Sequence, residues 1–408
     1  PWRTWFGPRP TRSSRNRRGT LASVRLSQVS DLPIDGLVPR SKQTGGVRQR
    51  LLRLVASRGF QSWAARFPLT RGVTRREGEE MFDLVAGFVH SQCLAALVEL
   101  RILPRLLERP ARLEELASSA DLPVERAVVL FDAGVALGLL VNRRGEYALT
   151  RRGAALAGVP GLGDMILHHA VLYRDLENPV AFFRGETDTE LAAFWPYVFG
   201  AGAADNPEIA RRYSRLMAES QTLVAEETLA AVDLDKVEHL MDVGGGTGAF
   251  LEAALTKHST LRATLFDLPA VVPGAGARFE KAGISQRVSI SSGSFRDDPL
   301  PRGADAISLV RVLYDHSDET VEALLASVVE ALPAGGRLIV SEPMTGGGAP
   351  NKAGNAYYAI YTMAMGTGRT RSPQEIARAC QSAGLTEVRA IPTGRAFVTS
   401  VVTGVKPE

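Results

Sequence analysis

The run Leu240-Met-Asp-Val-Gly-Gly-Gly-Thr-Gly-Ala-Phe250 constrains the fold more than any other part of the chain. It reads as a strand, a glycine-rich loop and the start of a helix. Glycine is needed where the backbone turns sharply and a ligand approaches without a Cβ in the way. From Val237 onward apolar strand candidates alternate with helical stretches, which implies a mostly parallel sheet covered on both faces. The strands read as His239–Val243, Arg262–Phe266, Arg287–Ser291, Ala306–Leu313 and Arg337–Ser341, with Glu387–Ile391 and Ala396–Val402 as an antiparallel edge pair. In such a doubly wound α/β sheet ligands bind beyond the carboxyl ends of the strands, where this loop falls.

The loop alone leaves its ligand open, because Gly244, Gly246 and Ala249 also satisfy the dinucleotide spacing. Two acids decide. Asp242 suits a ligand bearing a cationic amino group and would sit badly beside a pyrophosphate. Asp267, 25 residues further on in Phe266-Asp-Leu-Pro269, is placed to accept ribose hydroxyls, and it also suits a helix N-cap. The pair favours S-adenosylmethionine (SAM) over NAD, with Asp242, Gly244, Gly246, Gly248 and Asp267 as the core of the cofactor site. Ser294 and Phe295, beyond the third strand, are expected at the adenine, the ring giving a stacking or edge surface. Arg311, at the end of the fourth strand, joins the cofactor set. The polar residues after it, Tyr314 to Glu319, fall where a reacting group belongs, although Ser317 with Glu319 also reads as an ordinary helix start.

Charge is distributed unevenly. Residues 1–76 hold 17 of the 48 Lys and Arg and only Asp31 and Asp35 among the acids, so the rest of the chain is acidic despite a net charge of +4. Residues 1–45 read as a disordered basic leader. Residues 46–76 read as a basic amphipathic segment, with Leu51, Leu52, Val55, Trp63 and Phe67 among arginines. Its part from 47 to 67 suits either an anionic membrane surface or the protein's own body. The apolar Glu79–Arg101 helix is expected to be buried, and no run is read as long enough to span a bilayer. Cys93 and Cys380 give neither a disulfide framework nor a metal motif, and no acid or histidine cluster has metal-ligand spacing. A cytoplasmic setting fits, extended to the membrane face by the basic segment.

Residues 77–160 read as helix, turn, helix and a two-stranded wing around Arg143-Arg-Gly145. A winged helix invites a nucleic-acid reading. The face that would read bases carries Ala127, Val128, Val129, Phe131, Val135 and Leu137, so no nucleic acid is expected and packing against a second copy is. Residues 161–232 form an aromatic helical linker, with His169, Tyr173, Phe194 and Trp195 read as lining a substrate pocket. Residues 233–408 form the cofactor domain.

Together these motifs resemble the O-methyltransferase family that joins a winged-helix dimerisation domain to a class I SAM-binding domain, over roughly residues 78–405. Within it Arg76-Glu-Gly-Glu-Glu-Met-Phe82, Phe194-Trp-Pro-Tyr-Val-Phe-Gly200, Tyr213-Ser-Arg-Leu-Met217, Arg311-Val-Leu-Tyr-Asp-His316 and Gly366-Thr-Gly-Arg-Thr-Arg-Ser-Pro373 are similar to the branch of purple phototrophic bacteria that methylates acyclic carotenoids. The resemblance implies a homodimer that methylates the tertiary 1-hydroxyl of a hydroxylated acyclic carotenoid in spheroidene or spirilloxanthin synthesis. It also implies a general base in the frame His-Asp-Trp-x-Asp. Here that frame reads Tyr314-Asp315-His316-Ser317-Asp318, with Tyr at the base position. His316 ranks first, taking the proton; Tyr314 ranks second, orienting the hydroxyl while proximity and desolvation carry the reaction; a structural role for both is the third alternative. Glu342 matches a glutamate that orients the base, and the second such glutamate, expected near Thr370, is absent. Three rivals stay open: methylation of another small hydroxylated metabolite, a SAM-binding fold that has lost transfer, and a SAM-responsive regulator.

Overall fold

The structure is a computed structural model that describes residues 45–193 and 220–408. The leader therefore lies almost entirely outside the described residues, as do Phe194, Trp195 and Tyr213. The chain divides into two units, Pro1–Gln92 and Cys93–Glu408.

The first unit holds helices Gly45–Val55 and Arg58–Arg66 and most of the long helix Arg71–Glu99. Ser57 caps the second by accepting the Phe60 N–H, and Trp63 stacks on Phe67 with ring centroids 4.9 Å apart. The basic amphipathic segment is thus helical, and Leu51, Leu52, Leu54, Val55, Trp63 and Phe67 are exposed on it. The long helix departs from both expectations. Leu84 is 85% and Phe88 67% exposed within the single chain. Its most apolar 18-residue stretch has a mean hydropathy of 1.6, so by length and composition it is the one helix among the described residues able to cross a membrane. Asp83 and His90 interrupt the apolar run.

In the second unit, β1 (Ala111–Arg112), β2 (Leu140–Arg143) and β3 (Glu146–Leu149) form a small antiparallel sheet in the order β1-β3-β2. Arg144 and Gly145, at φ 56° and 85°, make the tight turn of the wing. Helices Ile102–Glu108, Leu113–Ser119 and Val124–Ala136 pack on this sheet around Leu97, Leu103, Leu116, Phe131 and Tyr147. Helices Arg151–Gly158 and Leu162–Asp175 follow.

The large sheet contains β4 (His239–Val243), β5 (Arg262–Asp267), β6 (Val288–Ser292), β7 (Ala306–Val310), β8 (Arg337–Glu342), β9 (Thr386–Ile391) and β10 (Ser400–Val405). Their order is β6-β5-β4-β7-β8-β10-β9, with the first five strands parallel and β10 antiparallel to both neighbours. The seven expected strands are all present. One is shorter than its apolar pattern suggests: β7 ends at Val310 because Arg311 takes φ 60°, a left-handed conformation that a strand cannot contain. The final hairpin inserts β10 beside β8 and leaves β9 at the edge. Two apolar layers flank the sheet, one around Ile307, Leu325 and Leu338 and the other around Leu240, Phe250 and Leu265. Each fully buried side chain of this kind contributes about 1.5–3 kcal/mol, which makes the sheet a rigid platform for its carboxyl-end loops.

Candidate active site

The glycine loop is shaped by what lies beneath it. Gly244, Gly246 and Gly248 all have φ between 62° and 77°. A Cβ on Gly244 would come within 2.9 Å of Val312, and one on Gly248 would strike the Phe279 ring. One on Gly246 would meet nothing within 4 Å, so of the three this residue faces open space. Asp267 at the end of β5 ties the loop down: its Oδ2 accepts the Gly246 N–H at 2.7 Å and its Oδ1 the Leu268 N–H at 2.6 Å. Burial raises its carboxyl above the usual range, opposed by these two donors.

Asp242 lies deeper than its sequence position suggests, 1% exposed at the end of β4. Oδ1 accepts from the Ser308 hydroxyl at 2.5 Å, while Oδ2 lies under Gly245 with no partner among the described residues. Burial pushes this carboxyl up to about 7, the Asp267 charge adds to the rise and the Ser308 hydroxyl opposes it. A buried acceptor without a donor marks a place completed from outside the chain or by a proton.

Phe295 is half-buried and meets the His316 ring edge-on at 5.2 Å. Ser294 is spent locally, its hydroxyl donating to Asp297 at 2.9 Å and its N–H to Asp298 at 2.8 Å. His316 belongs with this group. The guanidinium of Arg296 donates to its Nδ1 at 3.0 Å, which leaves the ring proton on Nε2. Burial, with Arg296 and Arg371 adding, pushes its pKa down to about 4. Neither nitrogen offers a free lone pair, so the geometry does not give His316 the part of a base.

Arg311 binds side chains on two other segments. It donates to Ser220 Oγ at 2.8 Å, Gln221 Oε1 at 3.4 Å and the Tyr314 hydroxyl at 3.4 Å. A non-glycine residue held at φ 60° costs roughly 1–3 kcal/mol and persists where the surroundings impose it. Tyr314 is 3% exposed, and burial raises its hydroxyl pKa, partly offset by Arg311. Glu342, fully buried at the end of β8, accepts the Tyr314 backbone N–H at 3.2 Å through Oε2, so it fixes main chain rather than a basic side chain. Burial raises Glu342 to about 7, with Arg371 opposing, and its Oε1 has no partner among the described residues. Thr370 is buried against the Thr362 hydroxyl, so no second glutamate stands there.

The structure adds two residues that sequence reasoning missed. Arg371 is 2% exposed and clamps the 313–318 turn, donating to Leu313 O at 2.8 Å, His316 O at 3.0 Å and Asp318 Oδ1 at 2.6 Å. Gly368 lies so close that a Cβ would be 2.2 Å from Tyr314 O. The only signal was the Gly366-Thr-Gly-Arg-Thr-Arg run, which shows composition but not its target.

Of the expected substrate residues, His169 is half-buried and shares a 2.6 Å hydrogen bond with the Tyr357 hydroxyl. Tyr173, one turn on, is exposed. His168 shares a 3.0 Å bond with Tyr361, whose phenol is also coupled to Tyr314 and Arg311. These groups form a polar and aromatic cluster that feels the Arg311 cation and reaches toward Tyr314.

The O-methyltransferase domain matches residues 173–386 and the O-methyltransferase dimerisation domain residues 82–158. The demethylspheroidene O-methyltransferase of Cereibacter sphaeroides is 54% identical over 92% of this chain and 99% of its own. That of Rhodobacter capsulatus is 52% identical over 86% and 88%. The crystal structure of human N-acetylserotonin methyltransferase in complex with SAM superposes with a TM-score of 0.71 at 24% identity, covering 81% of this chain and 98% of that one, a likeness of fold. With the glycine loop, the two acids and the winged helix in place, this chain belongs to the SAM-dependent O-methyltransferases that carry an N-terminal dimerisation domain.

Proposed function

We propose that this enzyme methylates the tertiary 1-hydroxyl of acyclic hydroxycarotenoids of the demethylspheroidene type. The observation that carries this reading is the 54% identity to a demethylspheroidene O-methyltransferase over nearly the whole of both chains.

The residues fit SAM. Gly246 offers open backbone, Asp267 keeps carboxylate lone pairs for ribose hydroxyls, Phe295 with His316 gives an aromatic edge for adenine, and the unpartnered Asp242 Oδ2 matches an ammonium group. Bound there, SAM supplies an electrophilic methyl on a sulfonium. The protein's part is to bring an alkyl hydroxyl into line and to exclude water. Glu342 and Arg371 hold the turn that carries Tyr314, and Arg311 sets a fixed cation beside the phenols of the cluster. Methyl transfer to a neutral hydroxyl removes the sulfonium charge rather than creating charge separation, so alignment and removal of one proton are what remain to be provided.

A second reading concerns delivery of so apolar a substrate. The exposed Leu51, Leu52, Leu54, Val55, Trp63 and Phe67, among exposed arginines, suit an anionic membrane surface.

The test is direct. Purified enzyme with methyl-labelled SAM and a 1-hydroxylated acyclic carotenoid is expected to place label in a lipid product heavier by one methylene. Label-free lipid from protein that binds SAM would overturn the proposal.

A further inference from the structure

Among the described residues, the frame Tyr314–Asp318 offers the proton of the substrate hydroxyl no acceptor. Tyr314 is buried, Glu342 holds backbone, and the Nδ1 lone pair of His316 is taken by Arg296, which puts the ring proton on Nε2. Another helix brings an imidazole to the same cluster. His169, on Leu162–Asp175, meets the hydroxyl of Tyr357 at 2.6 Å. Tyr357 lies in the π-turn Gly354–Tyr358, a widened turn of the kind common at functional sites. The turn is fixed by close crossing: a Cβ on Gly354 would be 2.1 Å from Met344 O. Tyr361, one turn further along, is buried, whereas Tyr357 and His169 are partly open.

We propose that Tyr357 and His169 form the proton relay of methyl transfer, resting on the substrate reading above. Tyr357 is the catalytic residue, its hydroxyl contacting the substrate oxygen, and His169 is the acceptor behind it. The substrate O–H breaks as its oxygen bonds the methyl carbon, and the sulfur keeps the electron pair of the broken S–CH3 bond. That proton passes to Tyr357 Oη while the tyrosine's own proton moves to His169 Nε2. One positive charge thereby leaves sulfur and one appears on the imidazole, which returns its proton to solvent from its half-exposed helix.

The surroundings suit this. His169 is neutral at rest, because burial lowers its pKa below the ordinary value. The Arg311 cation opposes the rise that burial imposes on the Tyr357 phenol, and so eases negative charge on that oxygen during transfer. Among the described residues, the other titratable or charged groups around the pair are His168 on the same helix, Tyr358 and Tyr361 beside Tyr357, and Tyr314 and Asp315 beyond Tyr361.

The experiment compares His169→Gln, Tyr357→Phe, the double variant and His168→Gln in full-length enzyme. Turnover on the carotenoid is measured from pH 5 to 9, and SAM binding is measured separately by calorimetry. General acid–base assistance is typically worth roughly 10²–10⁴-fold, so His169→Gln is expected to lower kcat about a hundredfold and to abolish the acidic limb of the kcat profile. KM for the carotenoid and SAM affinity should stay within about threefold. Tyr357→Phe should match it, and the double variant should lose no more than either single, as groups acting in one relay do. His168→Gln should keep the acidic limb. An acidic limb that persists in His169→Gln, or losses that multiply in the double variant, would overturn the relay. Wild-type enzyme that leaves the carotenoid unmethylated would instead overturn the substrate assignment.

Discussion

At the scale of single residues, Asp242 joins sequence, electrostatics and function. Its position before the glycines suggested a partner for an ammonium group, and the structure shows a free oxygen but in a buried carboxyl raised to about 7. A carboxyl whose folded pKa exceeds its unfolded value contributes stability that is fully present below the unfolded value, near 3.8, and lost as pH rises through about 7. If the carboxylate form meets the SAM ammonium, binding must drive off the proton. At pH 6, calorimetry in buffers of differing ionisation enthalpy should then report release of close to one proton per SAM. Asp242→Asn should release none and bind about 10–100-fold more weakly, as for loss of one charge-assisted hydrogen bond. Equal release by both proteins would reduce Asp242 to a support for Gly245. The acids were legible in the sequence because their spacing follows the strand ends. The engagement of His316 by Arg296, 20 residues away, was not, and neither was the pairing of His169 with Tyr357 across 188 residues, since no local pattern encodes either contact.

At the scale of elements, the strands were readable because a buried parallel sheet demands continuous apolar runs, whereas the ends that build the site follow other rules. The run Ala306–Leu313 stays apolar past the point where Arg311 turns left-handed, so hydrophobicity overruns the true end of β7. The π-turn at Gly354–Tyr358 has no periodic signature, and Arg371 acts on a turn more than 50 residues before it. The two short N-terminal helices were legible through their alternation of arginine with large apolar residues, but sequence did not say which face would stay open. Leu51, Leu54 and Trp63 are all more than 45% exposed. Replacing these three with serine should lower partitioning onto vesicles of phosphatidylglycerol and phosphatidylcholine by at least tenfold in a flotation assay, and leave SAM binding unchanged. Each removed side chain forfeits on the order of 1 kcal/mol or more of interfacial burial, so three exceed that threshold. Equal flotation of variant and wild type would refute membrane contact through these helices.

At the scale of the whole molecule, the long helix Arg71–Glu99 keeps a row of large apolar side chains that the described residues leave exposed. Met81, Leu84, Val85 and Phe88 are exposed together, a row that no solitary soluble chain keeps in water without a use for it. Its length and hydropathy also allow a bilayer to cover it. The dimerisation domain that matches residues 82–158 begins on this row and continues through the winged helix, whose Val129 is likewise exposed, and this favours a second copy as the cover. In a symmetric dimer each substitution counts twice. Changing Val85 and Phe88 to lysine therefore removes four apolar side chains from the interface and sets like charges there, costing at least about 3 kcal/mol, or more than a hundredfold in the dimer Kd. Sedimentation velocity in detergent-free buffer should show a wild-type dimer and a variant that dissociates to monomer at micromolar concentration. A wild type that sediments as a monomer would reject the second copy as the cover. A variant that stays dimeric would place the interface elsewhere on the winged helix, because a face holding four buried lysines could not remain closed.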